Sequence, residues 1–264
     1  MIPRAHIVAW RSEAPWPLDS QVEQDLALSR AVIDMFGDPD VSSAVAMRGG
    51  TVLHKVLLRP ARRYSEDIDL VQTRPGPIGP LLDAIHRRLD PWLGLPQWKQ
   101  GAGRVTLVYR FETEFEPRTR TRVKIEINTR EHFSVLGLVH RPFALESRWH
   151  AGRVDVVTYH TEELLGTKLR ALYQRKKGRD LFDLAEGLAR VTALDRERIV
   201  ACFERYLRND GLQVSRSEMS ANLEAKLADP AFVADLGPLL APGTAFDVAA
   251  AASRVRDELI NRIR

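Results

Sequence analysis

The sequence predicts an α+β fold: a mixed or antiparallel sheet with helical cover, followed by a second half built from helices alone. Three observations carry this. Segments 104–111 and 122–128 alternate apolar and polar residues with period two, as half-buried strands do. The run Val45-Ala46-Met47 breaks at once into Gly49-Gly50, the signature of a strand feeding a turn and then a helix. From His160 onward apolar residues recur only at helical spacing. A boundary near residue 155 divides an α/β domain, 1–155, from a helical domain, 156–264.

In chain order, Val22, Leu26, Val32, Ile33 and Phe36 give a helix over 20–36 that Gly37 ends, with a turn at Asp38-Pro39-Asp40. The strand at 45–47 leads to a helix expected over 51–58, stopped by Pro60. Residues 68–71 form the next strand, 75–80 a proline-glycine loop, and 81–89 a helix. In 104–111, Val105, Leu107, Tyr109 and Phe111 share one face. In 122–128, Val123, Ile125 and Ile127 oppose Lys124, Glu126 and Asn128. Helices follow over 162–177, 180–191, 196–206, 218–228 and 246–263, with a loop or hinge at 238–244.

At 264 residues the chain can bury a sizeable core, and 44% hydrophobic with 28% charged residues excludes a disordered protein. No apolar run approaches the ~20 residues of a spanning helix. The first ten residues lack a secretory pattern, and one cysteine, Cys202, rules out an internal disulfide or a cysteine-based zinc cluster. The expected compartment is the cytoplasm, with no membrane partner. The net charge of +4 is compatible with an anionic partner such as a nucleotide or RNA. Two arginine-rich runs, 118–122 and 175–179, read equally as solvated faces or as phosphate contacts.

The chemistry concentrates at two places. Asp67 and Asp69 flank Ile68 at a strand start, so both carboxylates face one way while Ile68 enters the core. Like charges side by side repel unless a cation joins them. Hard oxygen ligands suit Mg2+ or Mn2+, which also hold substrate phosphates. Glu126, on the polar face of another strand, can supply a third carboxylate. Gly49 and Gly50 let backbone amides approach a phosphate, and Thr51 either caps the following helix or binds a phosphate oxygen. Together these make a nucleoside triphosphate site suited to phosphoryl or nucleotidyl transfer.

The second place is helical. Lys168 falls inside the apolar stripe of Leu164, Leu165, Leu169 and Leu172, where it either snorkels to solvent or neutralises an anion. The anion role predicts that Lys168→Ala weakens activity without unfolding the protein. Asp180 reads from its spacing as a helix N-cap, and Asp183 either supports the first turn or serves the site.

These residues carry a resemblance. The run Arg48-Gly49-Gly50-Thr51-x-Leu53, then Arg63-Tyr64-Ser65-Glu66-Asp67-Ile68-Asp69-Leu70, resembles the abortive-infection nucleotidyltransferase toxins of the AbiEii/AbiGii type. Glu163-Leu164-Leu165-x-x-Lys168-Leu169-x-Ala171-Leu172 and Arg179-Asp180-Leu181-Phe182-Asp183-Leu184 are similar to that family's second half, so the likeness spans roughly residues 44–190. It implies a polymerase-β-like nucleotidyltransferase core, a helical C-terminal domain, and a toxin paired with a cognate antitoxin. It further implies transfer of a nucleotide to RNA, the tRNA 3′ acceptor end above all, which blocks translation. Asp67 and Asp69 match the family's metal-binding acids. Arg48, Gly49, Gly50, Thr51 and Ser65 match its nucleotide loop, and Lys168 with Asp180 or Asp183 its later essential lysine and aspartate. The loop opens with Arg48 where lysine is common, which keeps charge but alters phosphate geometry. Transfer to a protein or small molecule, and a non-catalytic RNA- or partner-binding module, are the alternatives. Two mutually repelling carboxylates are of no use to such a module.

Overall fold

The computed structural model describes residues 2–264, which divide into two compact units. The first holds residues up to Phe133 together with Leu138–Tyr159, and the second holds Ser134–Gly137 and His160–Arg264.

The first unit opens with helices α1 (Arg4–Trp10), α2 (Asp19–Phe36) and α3 (Pro39–Ser42). The expected Asp-Pro-Asp turn is the start of α3. Asp38 caps it by accepting from the Asp40 N–H at 2.9 Å, and Pro39 fills the first helical position, where its missing N–H costs nothing. Strand β1 (Val45–Arg48) then runs directly into α4 (Gly49–Val52). The helix expected over 51–58 thus begins two residues earlier, and at Leu53 it widens into a π-helical turn, Leu53–Leu57. Strand β2 (Asp67–Gln72), helix α5 (Gly79–Leu93), and strands β3 (Gln97–Gly101), β4 (Arg104–Glu112), β5 (Arg120–Asn128), β6 (Leu138–Glu146) and β7 (Ala151–Tyr159) complete the unit.

The strands form one seven-stranded sheet in the order β3-β4-β5-β2-β1-β7-β6. β2 pairs antiparallel with β1 and parallel with β5, while β4 and β5 pair antiparallel along their whole length. The sheet is therefore mixed, and the two period-two segments are neighbours. Their apolar faces, Val105, Leu107, Tyr109 and Phe111 with Val123, Ile125 and Ile127, are buried. Helix α2 lies against β5 and β7. Strands β3, β6 and β7 carry no alternation that sequence alone could show. β3 is exposed throughout, β6 is an edge strand holding Pro142, and only the second half of β7 is buried.

The second unit contains α6 (Thr161–Gln174), α7 (Gly178–Arg190), α8 (Arg196–Asn209), α9 (Arg216–Leu227), α10 (Pro230–Ala234) and α11 (Val248–Glu258). Its core gathers Leu165, Leu169, Leu181, Leu184, Phe203 and Val255 among others. Residues 134–137 belong here because the Glu163 carboxylate accepts from the Val135 and Leu136 amides at 2.7 and 2.9 Å. The last helix is shorter than expected: Asp247 caps it through the Ala250 N–H, and a 3-10 turn, Ile260–Arg262, follows it. No helix among the described residues is long and apolar enough to cross a membrane.

Candidate functional site

In the first unit, β1 delivers the chain to Gly49, whose φ of +82° is left-handed backbone that side chains disfavour. Space forbids a side chain as well: a Cβ on Gly49 would stand 2.0 Å from Oδ2 of Asp69, and one on Gly50 would stand 2.3 Å from Nη2 of Arg63. The two glycines therefore let the turn close directly over the start of β2. Thr51, fully buried, bonds through its hydroxyl to the Asp67 carbonyl and, at 2.9 Å, to Ser65 Oγ. It lies inside α4, whose N-cap is Arg48, so Thr51 does not cap the helix but ties the turn to β2. Arg48 itself sends its guanidinium to Glu131.

Asp67 and Asp69 share one face of β2, in register with Lys124 and Glu126 of β5. Lys124 Nζ lies 3.1 Å from Asp67 Oδ2 and 3.4 Å from Glu126 Oε1. Asp67 Oδ1 is buried and has no hydrogen-bond partner. A carboxylate oxygen removed from water without a donor is costly. A hard cation resolves that cost. Mg2+ characteristically takes one or two protein carboxylates and completes its shell with water and substrate phosphates, so Asp67 and Asp69 fit such an ion. Glu126, expected as a third metal ligand, is engaged by Lys124 and, at 3.6 Å, by Arg104. Among the described residues no three His, Cys, Asp or Glu side chains are gathered to hold a metal.

The helical candidates form a cluster within the second unit. Lys168 is 5% exposed and does not snorkel. Its Nζ lies 2.7 Å from Asp183 Oδ2 and 3.3 Å from Asp180 Oδ1, both aspartates being fully buried. Arg175 holds Asp180 with two hydrogen bonds of 2.7 Å. Burial works to raise the Asp180 pKa, but the Lys168 charge and the Arg175 fork overcome it and hold the carboxyl below its ordinary value. The cap assigned to Asp180 is a misreading. Helix α7 starts at Gly178 with Lys177 as N-cap, which puts Asp180 third in the helix, within its first turn, paired with its cations. The geometry weighs against the expectation that Lys168 can be removed without harm to the fold, because its loss would leave two buried carboxylates with one fewer cation.

Sequence reasoning gave no site role to Lys124, Arg63, Glu131 or Glu163, although Arg63 and Glu163 stand in the runs that carry the resemblance. Lys124 was visible as the i−2 neighbour of Glu126, but its meeting with Asp67 depends on the parallel register of β2 and β5. Arg63 packs on Gly50, and Glu131 reaches Arg48 across 83 residues, a pairing without local signal.

With this geometry in place, the comparisons are informative. The chain overlays on MenT4, a nucleotidyltransferase toxin from Mycobacterium tuberculosis H37Rv, with TM-score 0.71 and 18% identity, over 98% of this chain and 88% of that one. An antigenic nucleotidyltransferase-like protein from Paracoccidioides brasiliensis gives TM-score 0.42 and 17% identity over 75% of this chain and 92% of that one. A comparison with curated proteins gives no significant match. The overlay on MenT4 shows a shared fold. A family model described as nucleotidyl transferase AbiEii toxin, Type IV TA system, matches residues 32–252, and the chain belongs to that family. Membership brings a nucleoside triphosphate as substrate, a divalent metal in general terms, and a cognate antitoxin.

Proposed function

We propose that this toxin uses Mg2+ to transfer a nucleotide from a nucleoside triphosphate to RNA, the tRNA 3′ acceptor end, and so blocks translation in the cytoplasm. One observation supports it above the rest: Asp69 is pressed against Gly49 while Asp67, on the same strand face, keeps a buried oxygen without a donor. Asp67 and Asp69 would hold the ion, and the backbone at Gly49 and Gly50 would receive phosphate oxygens. When bound there, a divalent ion neutralises charge on the phosphates and lowers the pKa of an attacking hydroxyl. Thr51 and Ser65 fix the turn against β2, so the amides and the carboxylates keep one mutual geometry. Lys124 pairs with Oδ2 of Asp67, and Oδ1 would remain available to a cation. The positive net charge favours RNA as acceptor.

The test is an incubation of the purified chain with Mg2+, each labelled triphosphate in turn, and total tRNA. Label is expected on tRNA, and Asp69→Ala should reduce it by about a thousandfold or more, the scale of losing a preorganised electrostatic group. Label on protein would move the acceptor to a polypeptide. Transfer undiminished in Asp69→Ala would remove the aspartates from the reaction.

A further inference from the structure

The arginine-rich run at 118–122 has a defined place on the sheet. Alternation along β5 puts Arg120, Arg122, Lys124 and Glu126 on one face and Val123, Ile125 and Ile127 on the buried one. Cross-strand partners share a face, so Arg110 of β4, opposite Arg122, joins them, as do Asp67 and Asp69 of β2, opposite Lys124 and Glu126. The arginines therefore continue the face that carries the acid pair. Strand spacing places Arg122 roughly 8 Å and Arg110 roughly 12 Å from Asp67, backbone to backbone.

These arginines are handled unlike most others in the unit. Arg48, Arg87 and Arg88 each meet a carboxylate. The side chains of Arg120 and Arg122 make no ion pair or hydrogen bond among the described residues, and Arg110 reaches only the neutral Gln97. Arg110 and Arg122 stand directly opposite each other, an arrangement that like charges make unfavourable. They border a concavity of about 300 Å³ completed by Arg120, Thr121, Gln24 and a single acid, Glu66. Its floor is rigid: the Gln24 amide donates to the Arg122 carbonyl at 2.7 Å and accepts from Tyr64 Oη at 2.5 Å and Thr121 Oγ1 at 3.0 Å. An unneutralised trio of guanidinium groups carried on regular strands suits an external anion with several phosphates in a row.

We infer that Arg110, Arg120 and Arg122 hold the backbone phosphates of the acceptor RNA as it approaches the Asp67–Asp69 pair. This rests on the reading of the acceptor as RNA. The row positions the strand and reads no base, since guanidinium contacts to phosphate carry no sequence information. An acidic protein is the competing occupant. RNA is favoured because the row continues the face of the reacting centre, where a strand that is to be extended must end.

The full-length chain and its Arg110→Gln/Arg120→Gln/Arg122→Gln variant are titrated with fluorescent total tRNA between about 50 and 200 mM salt. The variant is expected to bind at least about thirtyfold more weakly at low salt, with the slope of log affinity against log salt reduced by about 2 to 3. Its melting temperature and its affinity for a fluorescent triphosphate analogue should match wild type. If the triple variant folds poorly, Arg120→Gln and Arg122→Gln singly carry the test, each lowering the slope by about 1. Unchanged affinity and slope, with tRNA still labelled by the wild type, would overturn the row and leave the acceptor reading standing. A wild type that neither binds nor labels tRNA would end both. Poly-L-glutamate binding the wild type as tightly as tRNA of equal charge would assign the row to an acidic protein and overturn the inference.

Discussion

The turn site on β2 and the lysine–aspartate cluster between α6 and α7 use similar residue types and come to opposite ends. Around Asp180 and Asp183 the chain supplies its own counter-charges, Lys168 and Arg175, and removes both carboxylates from solvent completely. At Asp67 it supplies one lysine to one oxygen, stops, and leaves the second oxygen buried without a donor. A satisfied buried cluster is a structural element, strong only while every partner is present. A carboxylate oxygen left without a donor beside a rigid turn is a place that suits a cation. The difference teaches that pairing, more than residue type, separates a site from a strut.

The largest effect tests the strut. Lys168→Ala should lower stability by about 3–5 kcal/mol, the range for stranding a buried charge, as read by urea or thermal unfolding of the full chain. Adding Asp180→Asn and Asp183→Asn should recover part of that loss, because the carboxylates then no longer need the lysine. A Lys168→Ala protein that melts with the wild type yet has lost transfer would invert the comparison and return the lysine to phosphate binding.

The next effect tests the site. Gly49→Ala must move Asp69 or open the turn, since its Cβ would stand 2.0 Å from Oδ2. Misplacement on that scale is expected to cost about a hundredfold in transfer rate, with about 1–2 kcal/mol of stability from the left-handed backbone. Gly211→Ala is the control. Gly211 has a φ of +73° at the end of α8 with nothing near its Cβ position, so it should show the backbone cost and full activity. Equal transfer by the two variants would show that the contact with Asp69 is incidental.

Much of this was legible in the sequence, and the remainder follows a pattern. The Asp67-x-Asp69 face and the β4–β5 pair were readable because two-residue periodicity is local. The partnership of Lys124 with Asp67 was not, because it arises from a parallel pairing of segments 57 residues apart. Strands β3, β6 and β7 escaped because exposure, an edge proline and one-sided burial erase alternation. The misassigned cap at Asp180 has a physical cause too. Gly178 looked like a boundary, but it is the first residue of α7 and is small because the Phe232 carbonyl would lie 2.3 Å from a Cβ there. A glycine required for close packing is indistinguishable in sequence from one required for a turn.

The finest prediction uses acid to probe the lysine–aspartate cluster. The Asp180 carboxyl lies below its ordinary value although burial alone would raise it, because Lys168 and Arg175 favour its charged form over the opposing influence of Asp183. A carboxyl whose folded pKa is depressed contributes stability that is complete above its unfolded pKa, about 3.9, and vanishes as pH falls through the folded value. The gap in melting temperature between wild type and Asp180→Asn should therefore hold steady from pH 7 to about 5 and narrow below about 4. A wild-type–Asp180→Asn gap that widened on acidification would mean that the aspartate is held protonated, and Lys168 would then need another anion to explain its burial.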